Sequence, residues 1–237
     1  MSKICGLTSD DSNIQVPALL DLMYQASWHS CYQRREVWSN DLVGLGHFGI
    51  GAVNIEPQPI FDGASGVTTV FCGKIFDYDV KRRSLVEEGA SFQWQANDGE
   101  FLSHWTSRRE ISTLRDINGI FSLAVWHPVE RKLLLTGDRY GFRPLYYYHD
   151  KLRSTLAFAS DLKGILATGL SSLKVNWRAV NAFLHLGHPL GGDTLFEGIY
   201  RLPPASVLTF QNNRLHISRY WSLAELPVQQ SICLLYT

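Results

Sequence analysis

The sequence predicts an antiparallel α+β domain, and three observations carry that expectation. Two pairs of short apolar runs are each joined across a brief turn, as in β-hairpins: Phe121–Trp126 with Lys132–Gly137, and Pro144–Tyr148 with Thr155–Ala159. Segments of helical spacing are gathered between the strands and do not alternate with them one for one. No internal repeat, low-complexity stretch or linker rich in Pro, Gly or Ser divides the chain.

Taken in order, residues 16–26 carry apolar side chains at helical spacing, with Pro17 near the start, where a missing N–H matters least. Leu42–Leu45, Val53–Ile55 and Val67–Phe71 read as short strands bounded by turn residues, with a loop at 56–63 between the last two. Asp79–Glu88 suits a short amphipathic helix closed by Gly89, and Glu100–Arg108 suits another. The first hairpin turns at His127-Pro128-Val129-Glu130 and the second around residues 149–153. Asp161–Gly169 reads as a helix ended by glycine, and Trp177–Leu186 as one more.

Composition bounds the function. The chain has 237 residues, 45% hydrophobic and 19% charged, enough for one well-buried core. Its 22 basic and 22 acidic residues balance without long runs, which argues against nucleic acid or a membrane surface as partner, since both need a concentrated basic face. The N-terminus lacks the apolar core of a signal peptide, so a cytoplasmic setting is expected. The four cysteines (Cys5, Cys31, Cys72 and Cys233) form no CxxC pair and no metal-ligand spacing with the eight histidines, so no metal is expected.

Longer words in the sequence are more specific. Asp138-Arg139-Tyr140-Gly141-Phe142-Arg143-Pro144-Leu145-Tyr146-Tyr147, then Phe158-Ala159-Ser160-Asp161-Leu162-Lys163, resemble a paired signature of the asparagine synthetase family. Asn118–Trp126 resembles its preceding strand, and residues 193–204 with Arg219-Tyr220-Trp221 resemble the segment joining its two domains. The resemblance runs from Cys5 to Trp221 in the family's order. It implies the N-terminal-nucleophile fold, two antiparallel β-sheets sandwiched between helices. It also implies an N-terminal cysteine that attacks the side-chain amide of glutamine, its own α-amine acting as base. The ammonia released then passes to a second domain, which uses ATP and Mg to activate aspartate. The expected organisation is a glutaminase-type domain over 5–170, a segment over 171–223 leading to a synthetase domain, and a tail over 224–237.

Carried over position by position, the glutamine site departs from the pattern. Cys5-Gly6-Leu7 resembles the nucleophile segment, yet the family's cysteine directly follows the initiator methionine, and here Ser2-Lys3-Ile4 intervene. Removal of Met1 exposes Ser2; unless the chain is trimmed further, Cys5 holds an amide nitrogen, which is no base, and a buried strand cysteine is the competing reading. The arginine that grips the substrate carboxylate is absent from Gly46-His47-Phe48-Gly49-Ile50-Gly51, leaving Gly49, Ile50 and Gly51 at those positions. In the oxyanion loop Gly73 keeps its N–H, Cys72 replaces an asparagine donor, and Lys74 reverses a charge beside the expected substrate ammonium. Asp98 keeps the position that binds the substrate amine. Of the family's histidine-containing loop only His29 remains, in 29–33.

These departures predict weak or absent glutamine hydrolysis. The remaining alternatives are a scaffold domain of a β-lactam-synthetase-like or lasso-peptide-cyclase-like enzyme, a stand-alone binding domain that packs against a partner, or an active glutaminase matured by proteolysis that exposes Cys5; a homodimer is one assembly the expectation allows. No loop for the pyrophosphate of ATP follows Trp221, and Cys233-Leu234-Leu235-Tyr236-Thr237 resembles a translated sequencing adapter, so the frame is expected to continue differently in the parent gene.

Overall fold

Strands that are apolar on both faces must be covered on both sides, and this chain covers them by stacking two sheets between two helical layers. The computed structural model describes residues 2–28, 34–51, 54, 56–63, 65–94 and 97–225. In chain order these form β1 (Lys3–Ser9), α1 (Val16–Ser27), β2 (Arg34–Ser39), β3 (Val43–Gly49), β4 (Ile60–Phe61), β5 (Thr68–Ile75), α2 (Tyr78–Glu87) and α3 (Asp98–Arg108). There follow β6 (Gly119–His127), β7 (Lys132–Gly137), β8 (Tyr146–Asp150), β9 (Thr155–Ala159), α4 (Leu162–Ala167), α5 (Trp177–Leu186), β10 (Ile199–Arg201), β11 (Ser206–Gln211) and β12 (Arg214–Arg219).

The first sheet has the order β10-β8-β9-β1-β3-β2 and the second β12-β11-β7-β6-β5-β4, with antiparallel pairing throughout. The alternation of side chains along each strand divides the core into three layers. Ile4, Leu45, Val70, Cys72, Ala124, Trp126, Leu135 and Phe158 meet between the sheets. Cys5, Leu7, Phe48, Ala157 and Ile165 pack on the outer face of the first sheet, with Leu20 and Met23 of α1. Phe71, Phe121, Leu123 and Val125 face Phe101, Leu102 and Trp105 of α3 on the outer face of the second. Each large side chain so buried contributes about 1.5–3 kcal/mol. This is the expected architecture, two antiparallel sheets between helices.

Both hairpins form, in the registers Ser122↔Gly137 and Tyr147↔Phe158. Helix α5 spans the expected residues, and α3 starts earlier, at Asp98, because Asn97 caps it by accepting from the N–H groups of Gly99 and Glu100. Strands β2, β11 and β12 were not expected. Beyond residue 170 the chain returns to both sheets, β10 closing an edge of the first and β11–β12 extending the second. Of the expected strand Val53–Ile55, both end residues lie outside the described set, and Asn54 between them takes a positive φ of 54°. No helix among the described residues is long and apolar enough to cross a membrane.

Candidate functional site

The two sheets approach each other at the start of β1 and the end of β5, and four of the expected site residues, Cys72, Gly73, Lys74 and Asp98, lie at that end of β5 or against it. The start of β1 is pinned to its neighbour. Ile4 N donates to Ser160 Oγ at 2.9 Å, Ser160 N donates to Ile4 O at 2.8 Å, and Lys3 Nζ pairs with Asp161 at 2.6 Å. Burial opposes ionisation of Asp161, but the contacts from Lys3 and Gly164 N outweigh it and hold the carboxyl below its ordinary range.

So anchored, Ser2 lies against β5. Its hydroxyl is 3.3 Å from Cys72 Sγ, and the Cys72 thiol donates to the Ser2 carbonyl at 2.9 Å. Burial pushes the Cys72 thiol up, and the Ser2 contact and the charge of Arg143 offset that only partly.

Cys5 is not brought to Cys72 and Gly73. Three residues after Ser2, its side chain points to the opposite face of β1, under α1, where a β-carbon at Gly46 would stand 3.2 Å from its sulfur. It is 1% exposed, and burial, with the nearby charge of Asp161, pushes its thiol far up. The residue that faces Cys72 is therefore Ser2. The signal for this was in the sequence: period-two alternation places Ser2 and Cys5 on opposite faces.

Gly73 is required by its surroundings. Its φ is 143°, and a β-carbon there would fall 2.1 Å from Ile120 O. Next to it, Lys74 turns toward Asp98 at the start of α3, with Nζ 3.1 Å from Oδ2 and 3.3 Å from Oδ1. Asp98 is 1% exposed and also accepts from Ile75 N at 3.2 Å. Asn54 ties the pieces together, donating to Gly73 O at 3.0 Å and accepting from Asp98 N at 3.2 Å. Sequence reasoning did not single out Asn54, and no motif marks it.

Gly49 ends β3 opposite Arg34, Ile50 is exposed, and Gly51 turns away with φ 71°. A β-carbon at Gly51 would stand 3.0 Å from the guanidinium carbon of Arg34, so β2 delivers an arginine to the loop that lacks its own. This too was missed, because β2 itself was not read. The histidine loop at 29–33 lies outside the described residues.

Electrostatics here make a testable statement. Burial raises the Asp98 carboxyl above the ordinary 3.8, and the contacts from Lys74 and Ile75 N offset this only in part. A carboxyl raised in the folded state binds more protons folded than unfolded, so its stabilising contribution is full below 3.8 and falls as pH rises through the folded value. Lys74→Ala removes the main offset and extends that fall to higher pH. Urea unfolding from acid to neutral pH should show a deficit that is absent in strong acid and reaches about 1–2 kcal/mol at neutrality, below the 3–5 kcal/mol typical of a broken buried pair. The discount applies because the Lys74 side chain keeps 53% of its exposure.

A family model described as "Glutamine amidotransferase domain" matches residues 1–221. The chain belongs to that family. It is 31% identical over 192 residues to "Asparagine synthetase [glutamine-hydrolyzing] 3" of Bacillus subtilis (strain 168), covering 79% of this chain and 31% of the relative. It is 29% identical over 189 residues to "Amidase chry2" of Gibberella zeae, covering 78% of this chain and 27% of the relative. This chain thus spans about three tenths of the curated relatives it matches. Among solved structures, the glutamine phosphoribosylpyrophosphate amidotransferase of B. subtilis, complexed with ADP and GMP, superposes with a TM-score of 0.65 at 13% identity, over 92% of this chain and 49% of that one. That likeness establishes the amidotransferase fold independently of sequence.

Proposed function

We propose that this chain is the glutaminase-fold portion of an amide-forming protein of the asparagine synthetase type, with the fold kept as a scaffold and glutamine no longer turned over. The observation that carries this reading is the Lys74–Asp98 pair. Asp98 occupies the position that takes the α-ammonium of glutamine in the resemblance, and it is already matched by an ammonium from its own chain. A substrate must displace Lys74 from a carboxylate that is 1% exposed. Cys72 in place of an amide donor adds a loss of about 10²–10³ in rate. Arg34 lies beside Gly51, but the ammonium side of the pocket stays closed by Lys74.

ATP, Mg and the amide acceptor belong, on this reading, to a C-terminal synthetase portion. Helix α5 is consistent with such a partner. Only Ala179 is buried among its residues, while Trp177 is 74% and Leu184 76% exposed, with Leu173, Leu186 and Leu190 also in water. The test is ammonia release from glutamine by the purified chain. The expected rate is indistinguishable from a Cys72→Ala, Ser2→Ala double variant; a clear excess over that variant would end the proposal.

A further inference from the structure

Helix α3 begins at Asp98 and ends at Arg108, about 15 Å away along its axis. Its last turn opens on a cleft of about 610 Å³, walled on the other side by the turn between β6 and β7. Small-ligand sites commonly enclose about 300–1,000 Å³. Two buried apolar side chains, Val67 and Leu134, form part of its lining. The charges around it are unevenly matched. Arg108 and Arg109 are both turned toward the end of α2: Arg108 donates to Glu88 O at 3.3 Å and Gly89 O at 3.4 Å, and Arg109 pairs with Glu88. Lys132 pairs with Glu130. Glu110 is left over; it makes no ion pair among the described residues, and its carboxylate accepts from Ser112 Oγ at 3.3 Å. The last turn of α3 contributes Thr106 and Ser107 to the wall, and the negative end of a helix favours a cation. His127, directly paired with Lys132, lines the cleft as well. Burial and the charge of Lys132 hold its imidazole below the ordinary value, so at neutral pH the ring is uncharged and can accept a hydrogen bond.

We propose that this cleft binds a small organic ammonium, a protonated primary amine carried on a short apolar body such as a phenyl or alkyl group. The ammonium is matched by Glu110, the end of α3 and the His127 ring, and the apolar body by Val67 and Leu134. An anionic ligand fits less well, since it must draw Arg109 from Glu88 or Lys132 from Glu130 and then face Glu110. A purely apolar ligand leaves Glu110 and His127 without a new partner and gains nothing from the helix end. Lys74 and Asp98 take no part, standing at the other end of α3.

The experiment titrates the full chain, labelled with ¹⁵N, with 2-phenylethylammonium chloride at neutral pH and low salt, following backbone amide shifts. The expected result is a saturable change centred on the last turn of α3 and the turn between β6 and β7. The uncharged 2-phenylethanol should bind about tenfold more weakly or worse, and 3-phenylpropanoate should give no saturable change. Glu110→Gln, at an exposed position where folding does not depend on the charge, should also weaken the ammonium about tenfold or more. Lys132→Gln, which leaves Glu130 unmatched, should tighten it. Shifts that do not saturate at the cleft, equal binding of 3-phenylpropanoate, or undiminished binding by Glu110→Gln would each overturn the proposal. Ammonia release from glutamine is a separate assay, so the scaffold reading and this one fail independently.

Discussion

Replacing Asp138 with alanine is expected to lower the free energy of unfolding by about 4 kcal/mol or more, measured by urea denaturation. The side chain is 1% exposed, and its two oxygens accept from four backbone N–H groups. Oδ1 takes Tyr140 N at 3.0 Å and Phe142 N at 3.1 Å; Oδ2 takes Arg143 N at 3.2 Å and Phe121 N at 3.3 Å. Each bond to an ionised acceptor is worth about 1.5–3 kcal/mol, and the four are not independent, so their sum is an upper bound. The carboxylate closes the turn from β7 toward β8 and ties it to β6, while the Asp138 carbonyl accepts from Ala205 N at 3.1 Å. Asp138→Asn should recover less than half of the loss. One of its two acceptors becomes an NH₂ group facing N–H donors. A loss below about 1 kcal/mol in the alanine variant would show that the turn holds without it.

Gly73→Ala is expected to cost about 3 kcal/mol or more by the same measurement. A β-carbon there meets backbone on its near side: Ile120 O at 2.1 Å and Phe121 Cα at 2.6 Å. Neither can withdraw without breaking the pairing of β5 with β6, which runs from Thr68↔Trp126 to Ile75↔Gly119. Added to the overlap is the strain of a side chain at φ 143°, about 1–3 kcal/mol. Gly89→Ala is the control, since it also has a positive φ, 85°, with nothing within 4 Å of the new carbon. Its expected loss is only about 1 kcal/mol. Equal losses at the two sites would show that the overlap at Gly73 relaxes.

How much of this was legible depends on where each signal is kept. Phe121–Trp126 and Lys132–Gly137 were legible because strands covered on both faces must be apolar nearly throughout. Arg34-Arg35-Glu36-Val37-Trp38-Ser39 and Arg214–Arg219 were not, because edge strands keep charged side chains in partial contact with water. The start of α3 at Asp98 was readable from Asn97, a good cap placed just ahead of it. In the site, motif spacing found Cys72, Gly73 and Asp98, which the fold brings together. It did not show that Lys74 closes on Asp98, a contact between β5 and α3 that exists only after packing. Arg34 was hidden by the missed strand. Ser2 was hidden by the pull of a cysteine three residues on, although counting faces along β1 separates the two.

The place of β1 in its sheet also sets a timetable. The earliest strand of the described residues, β1, is an interior one, bounded on one side by β3 and on the other by β9, whose Thr155–Ala159 leave the ribosome about 150 residues later. At ordinary rates of translation that interval is on the order of ten seconds or more. For that time β1, with its apolar run Ile4–Leu7, presents an open row of backbone donors and acceptors. Chains that stall or end before residue 155 never close it. During synthesis that edge of β1 therefore stays unpaired until β9 arrives.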